Sequence, residues 1–132
     1  AENWEEIARL TKEAVRTMLG LELRHVGINA ENEDQAMKIA ERFALLFGSE
    51  VKCGNSSVFA GKEIEVMKKP YLGTKGHIAI AVNSVERAMR YLDEHLGFTF
   101  DEDTAKYDDK KNIKAIYLNE EIGGFAIHLM QK

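Results

Sequence analysis

His25-Val26-Gly27-Ile28 and, 52 residues further on, His77-Ile78-Ala79-Ile80 are the stretches that decide the fold of this chain. The same offset carries Ala36-Met37-Lys38 onto Ala88-Met89-Arg90, and Glu41 onto Asp93. Coincidences in one register, at polar and apolar positions alike, point to a duplicated unit. Two copies of about 50 residues are too few for a solenoid, which needs about three repeats to bury its faces. A paired structure is expected instead.

Each copy reads as a strand, a helix and three more strands. In the first, a strand over Leu23–Ala30 precedes an amphipathic helix over Glu33–Phe47, whose apolar side carries Ala36, Ile39, Ala40, Phe43 and Leu46 and which Gly48 stops. Strands follow at Glu50–Cys53, Ser57–Ala60 and Glu63–Lys68, with Gly54-Asn55 and Gly61-Lys62 as turns. The second copy predicts a strand over Gly76–Val82, a helix over Val85–His95, and strands near Thr99–Thr104, Ile113–Leu118 and Gly124–Met130. The polar stretch Asp101–Lys111 reads as an extended hairpin. Lys69 to Lys75 link the copies and hold the only proline, Pro70, where no ladder amide is needed.

Ahead of the repeat, Asn3 and Glu6 have the spacing of a capping box. Ile7, Leu10, Ala14 and Met18 continue at helical spacing, widened by Trp4, Thr11 and Val15, and Gly20 ends the segment. The predicted organisation is a helix over residues 1–20 and a second unit over 21–132, with modules 21–70 and 74–132. Whether the modules pair within one chain or across a dimer is open at this point. The chain opens at Ala1 without a methionine, as expected of a piece of something longer.

Composition narrows the class. Of 132 residues, 45% are hydrophobic and 30% charged, a balance that supports one core and excludes wholesale disorder. Lys and Arg number 18 against 22 Asp and Glu, and the basic residues come singly or in pairs, which excludes a nucleic-acid footprint. No apolar run nears the ~18 residues of a membrane span. The single cysteine, Cys53, excludes an internal disulfide and fits a reducing cytoplasm.

Strand parity places the polar residues. Val26, Ile28 and Ala30 share one face and His25, Gly27 and Asn29 the other. Ile78, Ile80 and Val82 likewise oppose His77. Ile64 and Val66 bracket Glu65, and Ile127 and Leu129 bracket His128. Each copy therefore sets one polar group on the far face of its first strand and one on its last. Gly27, Ala79 and Ala126, two along from the histidines, are small and leave a cavity on that face. An unpaired buried carboxylate costs several kcal/mol, so Glu65 needs a partner. Imidazole and carboxylate are ligands for Zn, Mn, Fe, Co or Ni, and His25, Glu65, His77 and His128 form a candidate metal set. A metal-free polar cleft is the plain alternative.

The paired units resemble the vicinal oxygen chelate superfamily, which includes glyoxalase I, extradiol dioxygenases and methylmalonyl-CoA epimerase. Gly76-His77-Ile78-Ala79-Ile80 is similar to the strand opening the second glyoxalase module, Ile64-Glu65-Val66 to the ligand-bearing last strand of the first, and Gly124-Phe125-Ala126-Ile127-His128-Leu129 to the final strand. The resemblance implies an α+β fold in which two βαβββ modules form a cup-shaped, eight-stranded mixed sheet. His128 stands where the family carries a glutamate that serves as ligand and, in some members, as proton-shuttling base. Tyr71, Glu63, Tyr117 and His95 are candidates for a second base by residue type alone.

Trp4 through Val15 are similar to the terminal helix of keto-hydroxyglutarate/keto-deoxy-phosphogluconate aldolases, some of which carry an extra C-terminal domain resembling this chain. The resemblance implies an accessory domain of a bifunctional aldolase (a lyase), with the aldolase barrel and its Schiff-base lysine outside this sequence. The expected ligand is a small oxyacid, the expected cofactor a divalent metal (Zn, Mn, Ni, Co or Fe), and the expected partners the aldolase-like domain and further copies in a homo-oligomer. A stand-alone metal-dependent lyase, isomerase or dioxygenase, and a metal-free assembly module, are the competing expectations.

Overall fold

Eleven elements follow one another in residues 2–132, which this computed structural model describes. They are α1 (Glu2–Leu19), β1 (Glu22–Asn29), α2 (Glu33–Phe47), β2 (Val51–Cys53), β3 (Ser57–Ala60), β4 (Ile64–Met67), β5 (Gly76–Val82), α3 (Val85–Leu96), β6 (Phe100–Tyr107), β7 (Ile113–Ile122) and β8 (Phe125–Gln131). Ala1 lies outside the described residues. Local chemistry sets the boundaries. Asn32 caps α2 by accepting from the Gln35 amide at 2.8 Å, and the Gln35 side chain accepts from the Glu31 amide at 2.7 Å. Ser84 caps α3 through the Arg87 amide. Gly48 and Gly97 end the two helices in the left-handed region, where a side chain would be strained.

The eight strands form one mixed sheet in the order β2-β3-β4-β1-β5-β8-β7-β6, open at both edges. Within each module the first and last strands are parallel, β1 with β4 and β5 with β8. The modules join through the antiparallel β1–β5 ladder, in which Val26 lies across from Ile78. Those two residues are repeat equivalents, so an internal two-fold axis passes through their pair. The modules therefore pair within a single chain. This α+β cup is the expected fold, with strand ends shifted by a few residues. β6 and β7 extend through the anticipated hairpin, with Lys111 at positive φ in its turn.

Each helix covers the outer face of its own module. Ala36, Ala40 and Ala44, one helical turn apart, let α2 approach Val58, Ile64 and Val66, and α3 packs Val85 and Ala88 against Ile116 and Leu129. Leu46 does not join the apolar side it was assigned to: it is 76% exposed. At 100° per residue it projects about 120° from the direction of Ala40, off the sheet-facing stripe.

α1 also departs from expectation at its start. The helix already runs through Asn3, so Asn3 is not its cap, which would need a non-helical backbone. Gly20 does end it, at φ +64°. Its last turns touch the body: Leu19 is buried with Val82 and Val85, Val15 packs beside it, and the Asn83 side chain donates to the Met18 carbonyl. Trp4, Ile7 and Leu10 are exposed. No described helix is long and apolar enough to cross a membrane.

Candidate metal centre

The face of the sheet away from α2 and α3 lines a cavity of about 880 Å3. Ladder register builds its floor in two rows. Gly27 on β1 stands between Glu65 on β4 and His77 on β5. One step along, Ala79 on β5 stands between His25 on β1 and His128 on β8. Each small residue thus separates two polar ones, and those side chains lean over it toward each other. Ala126 lies across from His77 and leaves space on its other side.

The four candidate ligands all line this cavity. His25 Nε2 and His77 Nε2 are 3.1 Å apart, and each is 3.1 Å from Glu65 Oε2. His25, His77 and His128 each offer a ring nitrogen within 4.8 Å of the others. Glu65 is therefore in contact with two of the histidines, and the third closes the group from β8.

Ser57 donates to Glu65 Oε1 at 2.8 Å, which fixes that oxygen and leaves Oε2 to the histidines. Tyr117 lies across from His128 and stacks on it, with ring centroids 4.6 Å apart and planes 17° from parallel. Phe59 abuts the His25 ring edge-on at 6.0 Å. Neither Ser57 nor Phe59 was singled out from sequence. Their alternation in β3 was visible, but which residues they would face depends on the β3–β4 register.

Burial works against the Glu65 carboxylate, yet hydrogen bonds from His25, His77 and Ser57 outweigh it and hold its carboxyl well below the usual range. Burial, seconded by His77 and His25, lowers His128 to about 4, so its imidazole is neutral. Among the described residues its Nε2 is buried without a partner, as is His77 Nδ1. Burial, with Tyr71 and Glu65 nearby, raises the Tyr117 phenol to about 12.

Hydrogen bonds alone do not account for the cluster. An imidazole Nε2 offers one in-plane direction, a proton or a lone pair. Two such atoms and a carboxylate oxygen at 3.1 Å from one another make three edges that no placement of protons satisfies together. A cation facing all three satisfies each. Donors about 2.0–2.2 Å from a first-row divalent ion and at right angles to each other stand about 3 Å apart, which the cluster matches. The residues fit a divalent metal.

Of the remaining candidates by type, Tyr71 and Tyr117 line the cavity. Glu63 does not: it accepts from the Lys62 amide in the β3–β4 turn. His95 lies at the end of α3, its ring 5.0 Å from that of Tyr91.

No family model matches the chain, and no curated protein does. Solved structures share its fold. A hypothetical protein, BH1468 from Bacillus halodurans C-125, superposes with a TM-score of 0.56 at 15% identity, covering 85% of this chain and 94% of that one. A methylmalonyl-CoA epimerase gives 0.54 at 16% identity, over 83% and 93% of the two chains. The methylmalonyl-CoA epimerase of Mycobacterium tuberculosis gives 0.51 at 18%, over 83% and 86%. The chain thus shares its fold with methylmalonyl-CoA epimerases, as the sequence resemblance implied.

Proposed function

We propose that this chain is a glyoxalase-like domain that holds a divalent metal on His25, Glu65, His77 and His128 and binds a small oxyacid in the cup beside it. The observation that carries this reading is the triangle of 3.1 Å contacts among His25 Nε2, His77 Nε2 and Glu65 Oε2. A divalent ion with one carboxylate keeps net positive charge and, when bound, polarises a carbonyl or stabilises an enolate. The chain's own residues prepare that chemistry. Ser57 orients Glu65, Tyr117 holds the plane of His128, and the neutral His128 ring keeps a lone pair free. The Tyr117 hydroxyl stays protonated at any physiological pH and serves as a donor to a ligand oxygen.

The test is calorimetric titration of chelator-stripped protein with Zn, Mn, Co or Ni. One site per chain is expected, with His77→Ala weakening it by at least about a hundredfold. Absence of binding, or binding indifferent to His77, contradicts the proposal.

We further propose that the domain is an accessory unit of an aldolase-like enzyme. Support comes from the aldolase-like Trp4–Val15 segment and from the apolar stripe of α1, which this chain leaves largely uncovered. An antibody against the domain, applied to extracts of the source cells, should detect a polypeptide well above 14.9 kDa. A band at that mass contradicts it.

A further inference from the structure

β6 and β7 pair irregularly beside the cup. Between the matched pairs Asp101↔Tyr117 and Lys106↔Ala115, β6 advances five residues while β7 advances two. The excess is held in a fixed shape. Thr104 Oγ1 donates to the Asp101 carbonyl at 2.6 Å and accepts from the Tyr117 amide at 3.0 Å, and the Asp103 amide donates to the Asp101 side chain at 3.1 Å. Such bulges re-aim side chains near binding sites.

Here the re-aimed residue is Lys106, which lines the cavity one ladder step from Tyr117. Among the described residues no carboxylate lies within ion-pair distance of its ammonium. Two more lysines line the cavity, both following β4 on the side away from the bulge: Lys68 is paired with Glu33 at 3.2 Å, and Lys69 precedes Pro70. Tyr71, on the linker, contributes to the opposite wall and is tied down by Asn29, which bonds the Tyr71 amide and the Gly73 carbonyl.

Resting on the proposed metal site, we infer that Lys106 is a specificity residue for a second carboxylate, so that the cup prefers a dicarboxylic oxyacid with one oxygen-bearing end at the histidine cluster and the other at the β6 bulge. A carboxylate suits this position better than a phosphate, because one ammonium balances one negative charge and Asp101 shares the ladder row of Tyr117 on the same wall.

The experiment compares 2-oxoglutarate with 2-oxopentanoate, equal in length but lacking the distal carboxylate, by calorimetry on metal-loaded and on metal-free protein. Wild type should bind 2-oxoglutarate about tenfold more tightly, the worth of one charge-assisted hydrogen bond, with the margin shrinking in high salt. Lys106→Met should abolish the preference while leaving 2-oxopentanoate affinity and metal content unchanged. Equal affinity of wild type for the two acids, a preference that survives Lys106→Met, or no binding of either acid overturns the inference. Failure of the metal reading shows separately, as absence of metal uptake. A Lys106-dependent preference in metal-free protein supports the inference even then.

Discussion

The His77 ring fills the space that a side chain on Gly27 would need: a β-carbon at Gly27 would stand 2.0 Å from His77 Cε1 and 2.5 Å from Nε2. Gly27 lies across from His77 in the β1–β5 ladder, so the missing side chain on one module makes room for a candidate ligand from the other. Gly27→Ala should expel the His77 ring from the cluster. Metal affinity falls by at least about tenfold, while overpacking costs about 1–3 kcal/mol of stability. Metal titration beside a denaturant melt checks this; unchanged affinity would refute the assigned position of His77.

Ser57→Ala removes the donor that fixes Glu65 Oε1 without removing a ligand. Resistance to a competing chelator should drop by about tenfold, as for the loss of other groups that orient metal ligands. Glu65→Ala should lose far more. Chelator competition for the two variants side by side decides whether Ser57 positions Glu65 or merely neighbours it.

Much of this site was legible because the repeat and strand parity act together. An offset of 52 residues located both His25 and His77, and alternation sent Glu65 and His128 to the same face. Pairing within one chain was not legible, since either the Val26–Ile78 ladder or a copy of it between two chains would satisfy the same pattern. The Ser57–Glu65 bond and the Tyr117–His128 stack depend on register, which turn lengths and the irregularity between Tyr117 and Glu121 in the β7–β8 ladder set. Asn3 misled because its spacing to Glu6 fits a cap, although the helix runs through it.

The pH dependence of stability in metal-free protein has a definite sign. His128 titrates at about 4 in the fold against an ordinary 6.5, so the unfolded chain takes up that proton first as pH falls. The His128 contribution is full above pH 6.5 and is lost as pH falls toward 4, about 2 kcal/mol disappearing between about pH 7 and pH 5. Glu65, also lowered, gives way only below its ordinary 4.5. Denaturant midpoints in chelator should therefore decline across this window, and His128→Gln should flatten most of the slope. Identical slopes in both proteins would contradict it.

α1 should be unevenly stable. Leu19 is buried in the core, whereas Trp4 is 71% exposed and Ile7 and Leu10 are half exposed. A short helix without packing is marginal in water. Backbone amides of residues 5–14 should exchange with solvent orders of magnitude faster than those of 17–19, as hydrogen exchange followed by NMR would show. Uniform protection would mean that the stripe is already covered in the isolated domain.

The central claim is the metal. Elemental analysis of protein purified without chelator or nickel resin, beside Glu65→Ala/His77→Ala, tests it most directly. The predicted result is near-stoichiometric Zn, Mn, Fe, Co or Ni in the parent and none in the double variant. A parent without metal, even after dialysis against each ion, would contradict the account.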